Sequence, residues 1–146
     1  MTRPSNMHTQ PLSLNSLERY DEVRNQTLKL VATLTPDDQM IQSMPDVSPT
    51  KWHLAHTTWF FETFVLTPYF RDYVPIDSSF GFLFNSYYTR LGNHPYRAIR
   101  GPFSRPPLDQ ILLYLTHVDK SVYAFLSPST PIHVFRLLDF GFTPTP

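Results

Sequence analysis

Residues 51–62 read KWHLAHTTWFFE, and this stretch places two histidines among large aromatic residues on one expected helix. A hydroxyl and a proline, Ser48 and Pro49, precede it and are typical of a helix start. We therefore predict a helix over 49–66 that is closed by Pro68. His53 and His56 are three residues apart and become neighbours on such a helix, and His56 shares the richer apolar face.

A neutral imidazole on this face has two interpretations. It is the commonest metal ligand and suits iron, zinc, copper or nickel. The other interpretation, which the residues alone favour, is a buried histidine that hydrogen-bonds to a backbone carbonyl. The spacing of His53 and His56 is a weak signal by itself, so the residues alone leave both interpretations open.

The remaining pattern is that of an all-α protein. Apolar residues recur at helical spacing over 13–34 and again from 108 to about 126, while Thr35 and Pro36 start a short helix. A further short helix is expected over 82–91, ending at Gly92, and residues 67–80 look irregular. These segments predict an antiparallel helical bundle whose fourth helix is missing or incomplete.

Three parts of the chain differ in character. Residues 1–11 look like a flexible N-terminal arm, and residues 12–126 carry the helical pattern of the bundle domain. Residues 127–146 form a divergent, proline-containing tail at the place where a fourth long helix should begin. We expect this tail to reflect truncation of the domain or a shifted reading frame.

Composition excludes several classes of protein. The chain has 146 residues, no cysteine, and 12 basic against 12 acidic residues, so its formal net charge is zero. This balance argues against nucleic acid as the main partner, and the missing cysteines exclude disulfides and thiolate ligands. No apolar run suggests a membrane span or a secretory signal, so cytoplasm is the expected location.

A loop over 92–107 carries Arg97 and Arg100, three residues apart. Guanidinium groups bind carboxylates with two parallel hydrogen bonds, so both side chains are chemically suited to hold an anionic group. The alternative is that they are solvated charges on a surface loop. We expect Tyr87 and Tyr88 to lie in the core or in a pocket wall. No paired carboxylates indicate acid–base chemistry, and the aspartates look like cap or surface residues, namely Asp77, Asp109 and Asp119.

Several long motifs resemble one family. The segment SPTKWHLAHTTWFFE at 48–62 is similar to the N-terminal segment of ergothioneine-biosynthesis sulfoxide synthases, which belong to the DinB-like helical-bundle superfamily. The resemblance covers about residues 12–126. It continues through LFNSYY at 83–88, His94-Pro95, Arg100-Gly101, Ser104 to Pro106, and Val118-Asp119.

The resemblance implies a non-haem iron(II) enzyme. Such enzymes use oxygen to join a thiol, cysteine or γ-glutamylcysteine, to the imidazole of trimethylhistidine as a sulfoxide. Three histidines hold the iron, and the first of them matches His56. His53 is then an outer or structural residue, and Arg97 and Arg100 are expected to bind the carboxylates of the thiol.

Part of the family's site has no match in this sequence. The other two iron ligands come from a His-x-x-x-His motif on the fourth helix, where this chain has His133 but Ser129 and Leu137 at the paired positions. The family's C-terminal domain, which is similar to formylglycine-generating enzyme, is also missing. We therefore expect an incomplete fragment with little synthase activity, and iron binding by the chain alone is doubtful.

Three alternatives remain. The first is a non-catalytic helical interaction module, whose apolar face is covered by a homodimer or a partner chain. The second is half of a split enzyme, with a neighbouring chain supplying the missing ligands. The third is a small-thiol transferase of the same superfamily, which needs the same metal ligands.

Overall fold

The computed structural model describes residues 12–86 and 93–126, and all regular structure in these residues is helical. This confirms the prediction of an all-α protein. The arm at 1–11 and the expected fourth helix within 127–146 lie outside the described residues. The elements, in chain order, are α1 Leu12–Val31, α2 Pro36–Met40, α3 Thr50–Phe61, a π-helix Glu62–Leu66, α4 Thr67–Tyr69, α5 Phe80–Leu83, a 3₁₀ turn Arg97–Ile99 and α6 Leu108–Phe125.

Helix α1 lies close to its predicted bounds but turns an unexpected face to the core. Among residues 16–31, the buried side chains are Ser16, Tyr20 and Arg24, spaced four apart along one side, whereas Val23 is 45% exposed. The Tyr20 hydroxyl and the Arg24 guanidinium both donate to the carboxylate of Asp119 on α6. Asp119 was expected at a cap or on the surface. That expectation is wrong, because this carboxylate joins two helices.

The two predicted helix starts have different outcomes. The Thr35 hydroxyl accepts from the backbone N–H of Asp38 at 3.2 Å, and the Asp38 carboxylate accepts from the Thr35 N–H at 2.9 Å. This reciprocal capping box confirms the start of α2. Ser48 does not cap α3, which begins at Thr50 after Pro49. Its hydroxyl instead accepts a hydrogen bond from Arg100, so the capping role predicted for Ser48 is wrong.

The chain stays helical beyond α3 and passes Pro68, although we expected the helix to close there. The intervening π-helix gives the reason: the Thr67 N–H donates to the Glu62 carbonyl, five residues back. A proline lacks the backbone donor and crowds the carbonyl one turn earlier in an α-helix. The altered ladder just before Pro68 accommodates the ring, and α4 ends one residue later.

Helix α3 and the π-helix pack against α6 and form the core. The residues predicted from helical spacing for the buried face of α6 are Leu108, Ile111, Leu112, Leu115, Val118, Val122 and Phe125. The predicted buried face of α6 is confirmed except at Leu112, which is 42% exposed, and Tyr114 joins this face as a fully buried residue. Tyr114 takes this place because its hydroxyl donates to the Glu62 carboxylate, which also accepts from Tyr73 at 2.6 Å. The polar end of each phenol is thereby satisfied inside an apolar core.

Helix α5 differs from the predicted helix over 82–91, because it starts at Phe80 and is capped by Phe84. Residues 85 and 86 are not helical, and the remainder of the predicted helix, including Tyr87 and Tyr88, lies outside the described residues. Side chains of α3 bind the carbonyls of Leu83 and Phe84, which a longer helix would have used. Within 12–86 and 93–126, no helix is long and apolar enough to cross a membrane.

Candidate functional site

His56 lies between two indole rings of its own helix. Its imidazole stacks on Trp52 with ring centroids 4.6 Å apart, and on Trp59 with centroids 5.6 Å apart. The spacings of four and three residues place all three side chains on one face of α3, as predicted. The two tryptophans are buried, so they hold the imidazole in one orientation.

A hydrogen bond from outside the helix sets the protonation of this imidazole. His56 Nδ1 lies 2.6 Å from the carbonyl oxygen of Phe84. A carbonyl only accepts, so Nδ1 carries the proton, and Nε2 keeps a lone pair when the ring is neutral. Burial lowers the pKa of His56, and the charge of Arg100 lowers it further, against the opposing effect of the Phe84 bond. The ring is therefore neutral near pH 7, with Nε2 suited to metal binding.

Arg100 forms the next layer of the same stack. The central carbon of its guanidinium lies 3.6 Å from the centre of the Trp52 ring, a close cation–π contact. Its two terminal nitrogens donate to the hydroxyls of Ser48 at 2.7 Å and Ser86 at 3.0 Å. The residue is only 3% exposed, so it is a fixed positive charge in a wall and not a solvated surface arginine.

Arg97 is exposed and differs from Arg100 in this respect. One of its terminal nitrogens lies 3.4 Å from the backbone carbonyl of Asp46. Its side chain lines the same cleft as Arg100, because the 3₁₀ turn between them brings positions three residues apart to one side. Arg100 is therefore buried and Arg97 exposed, whereas the sequence predicted the same role for both.

These side chains surround a cleft of about 630 Å³, which is large enough for an amino acid or a dipeptide. His56, Arg97 and Arg100, the three residues singled out from the sequence, all line it together with His53. Burial and the nearby positive charges of Arg100 and Arg97 lower the pKa of His53, so its imidazole is also neutral near pH 7. The cleft wall carries two arginines against one carboxylate, Asp46, together with two neutral imidazoles, so it is suited to an anionic ligand.

The described residues do not complete the three-histidine iron site that the resemblance implies. Within 12–86 and 93–126, no group of three or more histidine, aspartate or glutamate side chains is placed to hold a metal ion. His56 fits as one ligand through Nε2, and His53 is its neighbour on the cleft wall. His133 lies outside the described residues, so its expected place stays untested.

Sequence reasoning missed the polar partners of this site. Ser48 and Ser86 hold the Arg100 guanidinium, and neither had been assigned to the cleft. Lys51 is 4% exposed, although its type suggests a surface residue. The only local signal was its position beside Trp52, and a lysine that precedes a buried tryptophan is too common to be diagnostic.

A family model for the DinB superfamily matches residues 19–137 of the chain. The match covers most of the sequence and includes α2 to α6, the residues of the cleft, and part of the segment beyond 126. A search of curated proteins gives no significant match. The helical architecture and the extent of this match lead to one conclusion: the chain belongs to the DinB superfamily.

Proposed function

We propose that this chain provides the first iron ligand and the thiol-binding wall of an ergothioneine-type sulfoxide synthase. The observation that carries the proposal is the convergence of His56, Arg97 and Arg100 on one cleft. The motif resemblance adds the chemical class, namely oxygen-dependent joining of a thiol to trimethylhistidine. The DinB superfamily match supports the helical-bundle fold and carries no information about this reaction.

The residues of the cleft have separate roles in this proposal. His56 offers Nε2 to the metal while the Phe84 carbonyl holds its other nitrogen. Arg97, the exposed guanidinium, binds a carboxylate of the thiol substrate directly. Arg100 adds a fixed positive charge at the rear of the cleft, where it attracts the same carboxylate.

One histidine does not hold ferrous iron firmly, so we propose that other ligands join His56 when the enzyme is complete. They would come from residues outside 12–86 and 93–126 or from a partner chain. The chain alone is then expected to bind thiol substrate but to make little or no sulfoxide.

Calorimetry with γ-glutamylcysteine, under anaerobic conditions and without metal, tests the substrate site. Arg97→Gln should weaken binding about tenfold, which corresponds to the loss of roughly 1.4 kcal/mol from one charge-assisted hydrogen-bonded pair. Arg71→Gln is the matched control, because Arg71 is exposed and does not line the cleft. Wild-type protein that binds no thiol, or equal loss in both variants, would contradict the proposal.

Iron(II) binding tests the metal role. Any binding by the wild type should be lost in His56→Ala and kept in His117→Ala, since His117 lies on α6 and contacts the Val74 carbonyl. Binding that survives His56→Ala would remove His56 from the ligand set. A chain that binds neither thiol nor iron would favour the alternative of a non-catalytic helical module.

A further inference from the structure

The loop that carries the two arginines is held by side chains from outside it. Gln42, in the segment between α2 and α3, accepts from the Gly101 N–H at 2.6 Å through its side-chain oxygen. Its side-chain nitrogen donates to the Arg97 carbonyl at 2.6 Å and to the Val47 carbonyl at 2.9 Å. One amide group thus binds both ends of the turn from Arg97 to Gly101.

Glycine at position 101 allows this contact. A Cβ atom on Gly101 would lie 2.7 Å from the Gln42 side-chain oxygen and 2.8 Å from the Gln42 Cβ. Both distances are too short for non-bonded atoms, so any larger residue would displace Gln42. The pairing of Gln42 with Gly101 is therefore specific in shape as well as in hydrogen bonding.

Lys51 holds the other end of the loop. Its ammonium group donates to the carbonyls of Phe103 at 3.1 Å, Ser104 at 3.1 Å and Pro106 at 2.9 Å. These bonds use all three N–H donors of the side chain. Lys51 is 4% exposed, so the carbonyls replace water around its charge. Because Lys51 binds only backbone carbonyls, it restrains the backbone conformation of residues 103–106.

The contacts of Gln42 and Lys51 lie close to Arg100 in the chain and in space. Lys51 immediately precedes Trp52, on whose ring the Arg100 guanidinium lies. The first turn of α3 therefore holds both the loop, through Lys51, and the aromatic surface that receives Arg100. Gln42 restrains the backbone on both sides of Arg100, at the Arg97 carbonyl and at the Gly101 N–H.

From these contacts we propose that Gln42 and Lys51 are positioning residues, which hold the arginine loop so that Arg100 lies over Trp52 and Arg97 faces the cleft. This inference rests on the proposed function for its link to substrate. The geometry of Arg100 can be tested without any ligand.

The test uses the side-chain Nε–H resonance of Arg100 in NMR spectra of the full chain, assigned by its loss in Arg100→Lys. The Trp52 ring should shift this resonance upfield, because the guanidinium lies over its face. Gln42→Met, Gly101→Ala and Lys51→Met should each move it downfield, toward the position of exposed arginines. The same variants should weaken γ-glutamylcysteine binding about tenfold, as expected when a charge-assisted contact is misplaced.

Matched controls separate positioning from a general loss of stability. Gly81→Ala adds a Cβ with no atom within 4 Å, and Gln110→Met changes an exposed glutamine on α6. Both should leave the Arg100 resonance unchanged. If Lys51→Met fails to fold, Gln42→Met and Gly101→Ala decide the question.

The outcomes for the two proposals are distinct. An unmoved Arg100 resonance in the folded Gln42, Gly101 and Lys51 variants would overturn the positioning role, whatever the thiol binding. A resonance that moves as expected, in a protein that binds no thiol, would support positioning and count against the proposed function alone.

Discussion

The imidazole of His56 lies nearly parallel to the indole of Trp52, with 4.6 Å between ring centroids and 13° between their planes. Arg100 covers the other face of the Trp52 ring, and its guanidinium lies 3.6 Å from the ring centre. Trp52 therefore contacts both the candidate metal ligand and the fixed positive charge. This relationship links the two halves of the cleft through one side chain.

Replacing Trp52 should destabilise the fold as well as the cleft. Trp52→Phe removes the indole N–H bond to the Leu83 carbonyl, 2.9 Å long, and part of a buried ring. We expect a loss of about 1–3 kcal/mol in the free energy of unfolding, measured by urea denaturation. Tyr96→Phe, at a residue 78% exposed, should change it by less than about 0.5 kcal/mol. Equal effects at the two positions would contradict a stabilising role for the buried indole and its hydrogen bond to Leu83.

The contact between α1 and α6 depends on Asp119. Its carboxylate accepts from Arg24 at 3.0 Å and from the Tyr20 hydroxyl, and Arg24 is mostly buried. Asp119→Ala leaves this guanidinium without its carboxylate, at an expected cost of about 3 kcal/mol in unfolding free energy.

The control for Asp119 is Asp72→Ala, because Asp72 is exposed. It should stay within about 0.5 kcal/mol of the wild type in the same denaturation measurement. If Asp119→Ala leaves the free energy of unfolding unchanged, the α1–α6 contact does not need this ion pair.

Acid should destabilise the folded chain through the cleft histidines. Burial lowers the pKa of His56 and of His53 in the folded state. As pH falls below about 6.5, the unfolded chain binds protons first, so the free energy of unfolding decreases until the folded-state pKa values are passed. Chemical denaturation between about pH 7 and pH 5 measures this slope.

Substitution identifies the groups behind the acid slope. His56→Gln should make the loss of stability on acidification shallower, because one titrating group is removed. Gln110→Met should leave it close to the wild type, because it changes an exposed residue that does not titrate. A slope that is the same in His56→Gln would assign the acid effect to other residues.

Alkali should also destabilise the fold, through tyrosines whose pKa is higher in the folded chain than in the unfolded chain. Burial raises the pKa of Tyr20 and of Tyr114, and the Asp21 carboxylate raises the pKa of Tyr123 to about 12. Unfolded tyrosines ionise near pH 10 while these stay protonated, so unfolding free energy falls above about pH 10. Tyr123→Phe should reduce this slope in alkaline denaturation curves, whereas Gln110→Met, which removes no titratable group, should leave it unchanged.

Much of the local structure was predictable because it depends on near neighbours. The capping box of Thr35 and Asp38 and the apolar face of α6 follow from spacings of three and four residues. The placement of His56 between Trp52 and Trp59 follows from the same helical geometry. The sequence motif also selected Arg97 and Arg100, which the structure places on the same cleft as His56.

The errors arose where a distant partner decides a side chain's role. Ser48 has the sequence context of a helix cap, yet its hydroxyl binds Arg100, which is 52 positions away in the chain. Asp119 has the appearance of a surface residue until Tyr20 and Arg24 are brought to it by the packing of α1. No local pattern contains the information about such pairings.

The sequence by itself determined the helical class, the superfamily motifs and the helix face that holds His56, because each depends on residue type and short spacing. Only the tertiary structure decided which nitrogen of His56 carries the proton, since that depends on the Phe84 carbonyl, 28 positions away. It also decided that Arg100 is a fixed charge in the cleft wall. Hydrogen bonds and stacking between distant segments produce both features, and these form only when the helices pack.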